Sequence, residues 1–156
     1  MSDTWRNARS STGHRALRVA LWVAQLALAA MFVNSAQFKL LTPAADIAAM
    51  MNLPAELIRF IGAAELAGAI GLILPAATRI YPALTVLAAG GLTTVMLLAS
   101  GFHLARGEAS GAIMTAVLGV IAAFVAYGRA SLAPIEPRRT RRYRQAREAT
   151  AGAAHG

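Results

Sequence analysis

FIGAAELAGAIGLILP, residues 60–75, sets one carboxylate, Glu65, in a run of phenylalanine, isoleucine, leucine, alanine and glycine that closes on Pro75. Its surroundings decide what such a run is. Hydrophobic residues make up 57% of the 156 and charged residues only 14%, with a mean hydropathy of +0.53. That is far to the apolar side of a water-soluble domain of this length, so the chain reads as a membrane protein.

A bilayer span needs roughly 17–25 mostly apolar residues. Four stretches qualify, at about 17–38, 57–74, 80–103 and 110–128. The breaks between them are Thr42-Pro43, Pro54, Pro75, an early Pro82 in the third run, and Arg106–Gly111. Segments apolar on nearly every side carry little helical periodicity, so length decides the assignment. The first run also exceeds the roughly 7–15 residues of a signal-peptide core. Ser35 and Ala36 near its end are therefore read as part of an uncleaved helix. The expected fold is all-α: an integral membrane bundle of four transmembrane helices with a short interfacial helix after the first span. Residues 1–16 form an Arg-rich tail, 17–130 the membrane domain, and 131–156 a basic tail expected to be disordered.

Basic residues set the orientation. Arg6, Arg9, Arg15 and Arg18 lie before or at the start of the first span, Arg79 joins the second to the third, and seven from Arg129 to Arg147 follow the fourth, so twelve lie on the side of the termini. Lys39, Arg59 and Arg106 are the three on the other side. This asymmetry predicts both termini in the cytoplasm of a bacterial-type inner membrane. The tail PRRTRRYRQAR, residues 137–147, suits anionic headgroups, which attract each juxtamembrane arginine by about 1 kcal/mol. Membrane lipids are the expected contact. Nucleic acid is not, since the run lacks a groove-reading motif and interleaved stacking aromatics.

The polar residues gather in the outer half. Asn34, Gln37 and Lys39 close the first span, Asp46 and Glu56 lie in the first connection, and Arg59 and Glu65 are on the second span. His103, Arg106 and Glu108 flank the end of the third. In the connection 42–56, Thr42 is the expected N-cap with Pro43 at the first helical position, and Ile47, Met50 and Met51 share one face. It reads as a short amphipathic helix at the interface or over the bundle mouth.

Glu65 follows Leu57 by eight residues, about 12 Å into the span. An acid there costs about 2.5–3.5 kcal/mol on insertion scales. Gly62, Gly68 and Ala69 around it let another helix approach, so Glu65 faces protein. Burial disfavours a lone charge. Two states follow: a neutral acid hydrogen-bonded to Gln25, at comparable depth in the first span, or an ion pair with Lys39 or His103. Interhelical glue and a ligand or proton site both remain open. Cysteine is absent, so this chain has no thiol chemistry of its own. His103 among scattered carboxylates makes a poor metal site. No phosphate loop, HExxH or GxSxG is present.

NSAQFKLL (34–41), LPAELIRFIGAAELAGAIGLILP (53–75), the third span from YPALTVLAAGGLTTVMLLASGFHLARGE (81–108) and AAFVAYGR (122–129) together resemble the DoxX-like family of small four-helix membrane proteins. The resemblance covers about residues 17–130. Its most specific parts are Lys39, the IGxxELxGAIGLILP block with Glu65, and His103 followed by Arg106-Gly-Glu108. It implies a four-helix bundle, linked in some members to quinone-coupled sulfur or thiol redox systems whose centres sit on partner proteins; a distant eukaryotic relative assists receptor assembly.

The expected role is thus a membrane subunit without a redox centre, partnered by an oxidoreductase or another membrane protein and without independent catalysis. Its outer pocket would use Glu65, Lys39, His103, Gln25, Asn34, Gln37, Arg106 and Glu108, with a quinone as the candidate non-covalent cofactor. A scaffold or assembly factor is the alternative. A small proton-coupled transporter ranks last, because strong charge asymmetry disfavours dual topology.

Overall fold

The structure, a computed structural model, describes residues 3–138, with side chains from Gly13 onward. Residues 139–156, most of the tail expected to be disordered, lie outside the described residues. Helix α1 spans Asp3–Leu41, α2 Ala44–Met51, α3 Ala55–Thr78, α4 Ala83–Ala105 and α5 Ala109–Tyr127, and a π-helical turn, Gly128–Leu132, extends α5. Stretches of α1, α3, α4 and α5 with its extension are long and apolar enough to cross a membrane: Gly13–Leu41, Ala55–Thr78, Ala83–Ala105 and Ala109–Leu132. Among the described residues there is no strand. The protein is an all-helical, four-span membrane bundle.

Each span buries one stripe. On α3 it runs through Ile58, Gly62, Glu65, Ala69, Leu72 and Ala76, and on α1 through Leu21, Gln25, Leu28, Phe32 and Ala36. Steps of three and four keep such residues on one helix face. Thr85, Ala89, Leu92 and Met96 do the same on α4, and Ala112, Gly119, Ala122 and Val125 on α5. Helix α1 packs on α3, α3 on α4, α4 on α5, and α5 back on α1. The described chain therefore begins and ends at one end of the bundle, here the terminal end, while α2 and the α4–α5 turn lie at the loop end. The remaining faces stay apolar and exposed, as at Val19, Val23, Leu87, Leu97 and Val120, which suits hydrocarbon rather than water.

Four local expectations change. Pro75 does not end the second span: α3 continues to Thr78 and stops when Arg79 turns left-handed at φ 59°, its N–H donating to the Pro75 carbonyl. Pro lacks an N–H but tolerates a helix wherever neighbouring groups satisfy the freed backbone. The third span begins at Ala83, so Ile80 and Tyr81 belong to the connection and Pro82 precedes the helix. Thr42 does not cap α2. Its hydroxyl donates backward to the Phe38 carbonyl of α1 (2.7 Å), and Pro43 occupies the cap position. Residues 3–16, expected as a tail, are helical and extend α1.

Helix α2 folds against α3, with Ile47 wholly buried, Met51 half-buried and Met50 exposed. The left-handed Asn52, φ 50°, ends it and turns the chain into α3. Glycines bring α3 and α4 together. A Cβ at Gly71 would lie 2.7 Å from the Ala88 Cβ, an atom that cannot swing aside without its backbone. A Cβ at Gly90 on α4 would meet nothing within 4 Å. Gly71→Ala is therefore expected to destabilise the bundle by about 1–3 kcal/mol through overpacking, whereas Gly90→Ala leaves it unchanged or slightly raised. Thermal unfolding in detergent followed by circular dichroism checks this, and equal shifts for the two variants would refute the close α3–α4 packing.

Candidate functional site

Lys39 sits two residues before the end of α1. Because Cβ bonds tilt toward a helix's N-terminus, its stem runs back into the bundle rather than out toward water. There its ammonium donates to both carboxylate oxygens of Glu65, at 2.9 and 2.8 Å, and to Ser35 Oγ at 2.5 Å. An ammonium has three donors, and all three are used. Glu65 is 2% exposed. Ten residues from the start of α3, it lies about 15 Å along that helix.

The main chain around Lys39 is held as well. The Lys39 carbonyl would bond the N–H four residues on, but that residue is Pro43, which has none. Arg59 replaces it: Nη1 donates to the Lys39 carbonyl (2.7 Å) and Nη2 to the Thr42 carbonyl (2.6 Å). Gly62 completes the fit, since a Cβ there would come to 3.0 Å from the Lys39 Cβ. One face of α3 thus grips the end of α1 through Arg59, Gly62 and Glu65.

Of the two states open from sequence, the geometry is that of the ion pair with Lys39, and the pairing with Gln25 is overturned. Gln25 lies nearer the terminal end, where its Nε2 donates to the Leu72 carbonyl (2.6 Å) and its Oε1 accepts from Arg129 Nε (2.7 Å). Glu65 and Gln25 enter their antiparallel helices from opposite ends, so equal counts from each entry do not place them at one level. Arg129, 5% exposed, also lies 5.3 Å from the centroid of the Trp22 ring.

His103 does not join Glu65 either. Its Nδ1 lies 2.7 Å from Glu108 Oε2, while Arg106 Nε donates to Glu108 Oε1 at 2.6 Å. Arg106 also stacks over Phe102, 5.2 Å from the ring centroid, and its Nη1 makes a long 3.5 Å contact to the Met51 carbonyl of α2. This cluster ties the α4–α5 turn, with Gly107 at φ 72°, to α2. Gly111 leaves room for the imidazole, for a Cβ there would collide with the ring. Below it Ser100 and Thr115 share a hydroxyl bond of 2.8 Å between α4 and α5. Asn34 and Gln37 point away from the bundle and are exposed. The eight predicted residues thus fall into an α1–α3 pair, a turn cluster, a terminal-end network and two outward amides.

Two side chains that hold these networks, Arg59 and Arg129, are not singled out by the sequence. Arg59 reads there only as an outer charge, although it stands three residues before Gly62, whose small size signals a close helix. Arg129 reads only as a topology signal, although it continues the α5 stripe of Ala122 and Val125 at a spacing of four. Among the described residues no three His, Asp or Glu side chains gather in a way that could hold a metal ion. Residues 23–125 match the sequence profile of the DoxX-like family. No curated protein and no solved structure matches the chain.

Removing one partner of a buried pair strands the other charge and costs about 3–5 kcal/mol. Lys39→Met and Glu65→Leu are each expected to lower stability by that order, while the two together recover most of it. A double-mutant cycle on thermal unfolding in detergent tests this, and additive losses would exclude the pair. In the turn cluster, the hydrogen bond from Arg106, then that from His103, holds the Glu108 carboxyl below its usual 4.5. The contact is therefore complete above pH 4.5 and disappears only as pH falls through the lowered value. An NMR titration of the Glu108 carboxyl carbon should give a midpoint below 4.5, and Arg106→Gln should move it upward.

Proposed function

The chain belongs to the DoxX-like family, and on that footing we propose that it is a membrane subunit without a redox centre of its own, serving a quinone- or thiol-linked oxidoreductase system. It works in a bacterial-type cytoplasmic membrane with both termini in the cytoplasm, a placement supported by the twelve-to-three division of basic residues. The observation that carries the reading is the Lys39–Glu65 pair, an ammonium and a carboxylate 2.8 Å apart and sealed within apolar helices. Ionisable groups at such depth are costly and, as a rule, functional. If a quinone oxygen took the place of Ser35 on Lys39, the ammonium would supply a hydrogen-bond donor and Glu65 a base for the quinol's proton, which is what a partner's redox step needs at the membrane. The chain has no cysteine, so any thiol chemistry would belong to the partner. Arg59 and Gly62 keep the pair rigid enough for such a role.

A second reading, a scaffold for assembling other membrane proteins, is favoured by one specific observation. All three Lys39 donors are already satisfied within the bundle, as a purely structural clamp requires.

Quinone retention separates the two. Protein extracted gently from its own membrane is analysed for bound quinone, beside the charge-free Lys39→Met/Glu65→Leu variant. The subunit reading expects quinone on the native protein and loss of about tenfold or more in a variant that stays folded. Equal quinone in both, or phospholipid alone, would replace it with the scaffold.

A further inference from the structure

The terminal end holds a recess of about 340 Å³, near the lower size of small-ligand sites. Arg18 of α1, Arg79 after α3 and Arg129 of the π-helical turn line it, with Trp22 beside them and Glu136 on the trailing segment. A main-chain bond from Arg138 to the Arg79 carbonyl (3.2 Å) holds that segment against α3.

Arg129 is the informative member. Its side chain is buried, its Nε is taken by Gln25, and its Nη2 is buried without any hydrogen-bond partner. No carboxylate lies within ion-pair distance of it among the described residues. A guanidinium does not lose its charge under these conditions, so burial with no counter-ion among the described residues is strongly unfavourable. The stacked Trp22 and the neutral Gln25 orient it but do not neutralise it. Two further guanidiniums, Arg18 and Arg79, converge on the same recess and likewise make no ion pair among the described residues. Among the described residues the lining carries three arginines and one carboxylate, a positive balance.

We propose that this recess binds a phosphate group, with Arg129 as the buried anchor and Arg18 and Arg79 as the two outer arms. Guanidinium forks match phosphate oxygens in geometry as well as charge. The recess sits where α1, α3 and α5 leave the apolar span, and Trp22 belongs at that level. The headgroup of an anionic phospholipid and a soluble phosphate present the same chemistry there. The Gln25–Leu72 bond passes this anchorage from Arg129 into α1 and α3.

Native mass spectrometry of the full chain in detergent tests the site, with phosphatidylglycerol or inorganic phosphate as probes. Arg18→Gln/Arg79→Gln is the variant, because both side chains are exposed and the fold does not depend on them. Loss of two such contacts is expected to weaken retention of phosphatidylglycerol by about thirtyfold. If inorganic phosphate binds in the same variant-sensitive way and phosphatidylglycerol does not, the site is one for soluble phosphate. Equal retention of both probes by native protein and variant, or no retention by either, would overturn the proposal.

Discussion

Glu65 can lie among apolar helices only because Lys39 turns inward to meet it. Lys39 is two residues from the end of α1, and an extended side chain there would reach water. Lysines near span ends ordinarily point outward for that reason. The opposite choice needs a carboxylate in the right place and a main chain that holds still. Arg59 supplies the second by bonding the carbonyl that Pro43 leaves without a donor, and Gly62 by letting the two backbones approach. Register between α1 and α3 follows from these three contacts, and the core of Leu28, Phe32, Ala69 and Leu72 falls into line behind them.

The polar chemistry is divided between the two ends of the bundle, and the division is one of charge balance. At the loop end each of the paired acids has a base: Lys39 with Glu65, and Arg106 and His103 with Glu108. At the terminal end the bonds run from Arg129 to the neutral Gln25 and on to a carbonyl. The first end is closed on itself. The second carries surplus positive charge.

Span number and order are legible in the sequence because a bilayer imposes length, and length survives in apolar runs of any periodicity. Burial of Glu65 is legible for a related reason: no lipid-facing position tolerates it, and Gly62, Gly68 and Ala69 advertise a neighbouring helix. The choice of partner is less so. Depth counted from each helix's own entry places Gln25 beside Glu65, but the helices overrun the apolar runs by several residues, and in an antiparallel pair that overrun separates the two. Pro75 and Thr42 mislead because local rules assume an isolated backbone. In the bundle Pro75 lies within a continuous helix, and Thr42 finds a carbonyl on α1. Arg129 is hidden by its class, since an arginine just after a span is normally a topology signal and only its register on α5 marks it as interior.

Because the two charges of the central pair belong to different spans, neither span is electrically balanced alone. Helix α1 entering a bilayer alone could still extend Lys39 to water, but α3 alone would carry a bare carboxylate. The segment from α1 through α3, joined by α2, is the shortest piece of this chain whose membrane interior is neutral around that pair. Insertion as a hairpin, with α2 serving as its hinge, avoids exposing Glu65 to lipid. The ion pair thereby ties the cost of placing α3 in a bilayer to the presence of α1.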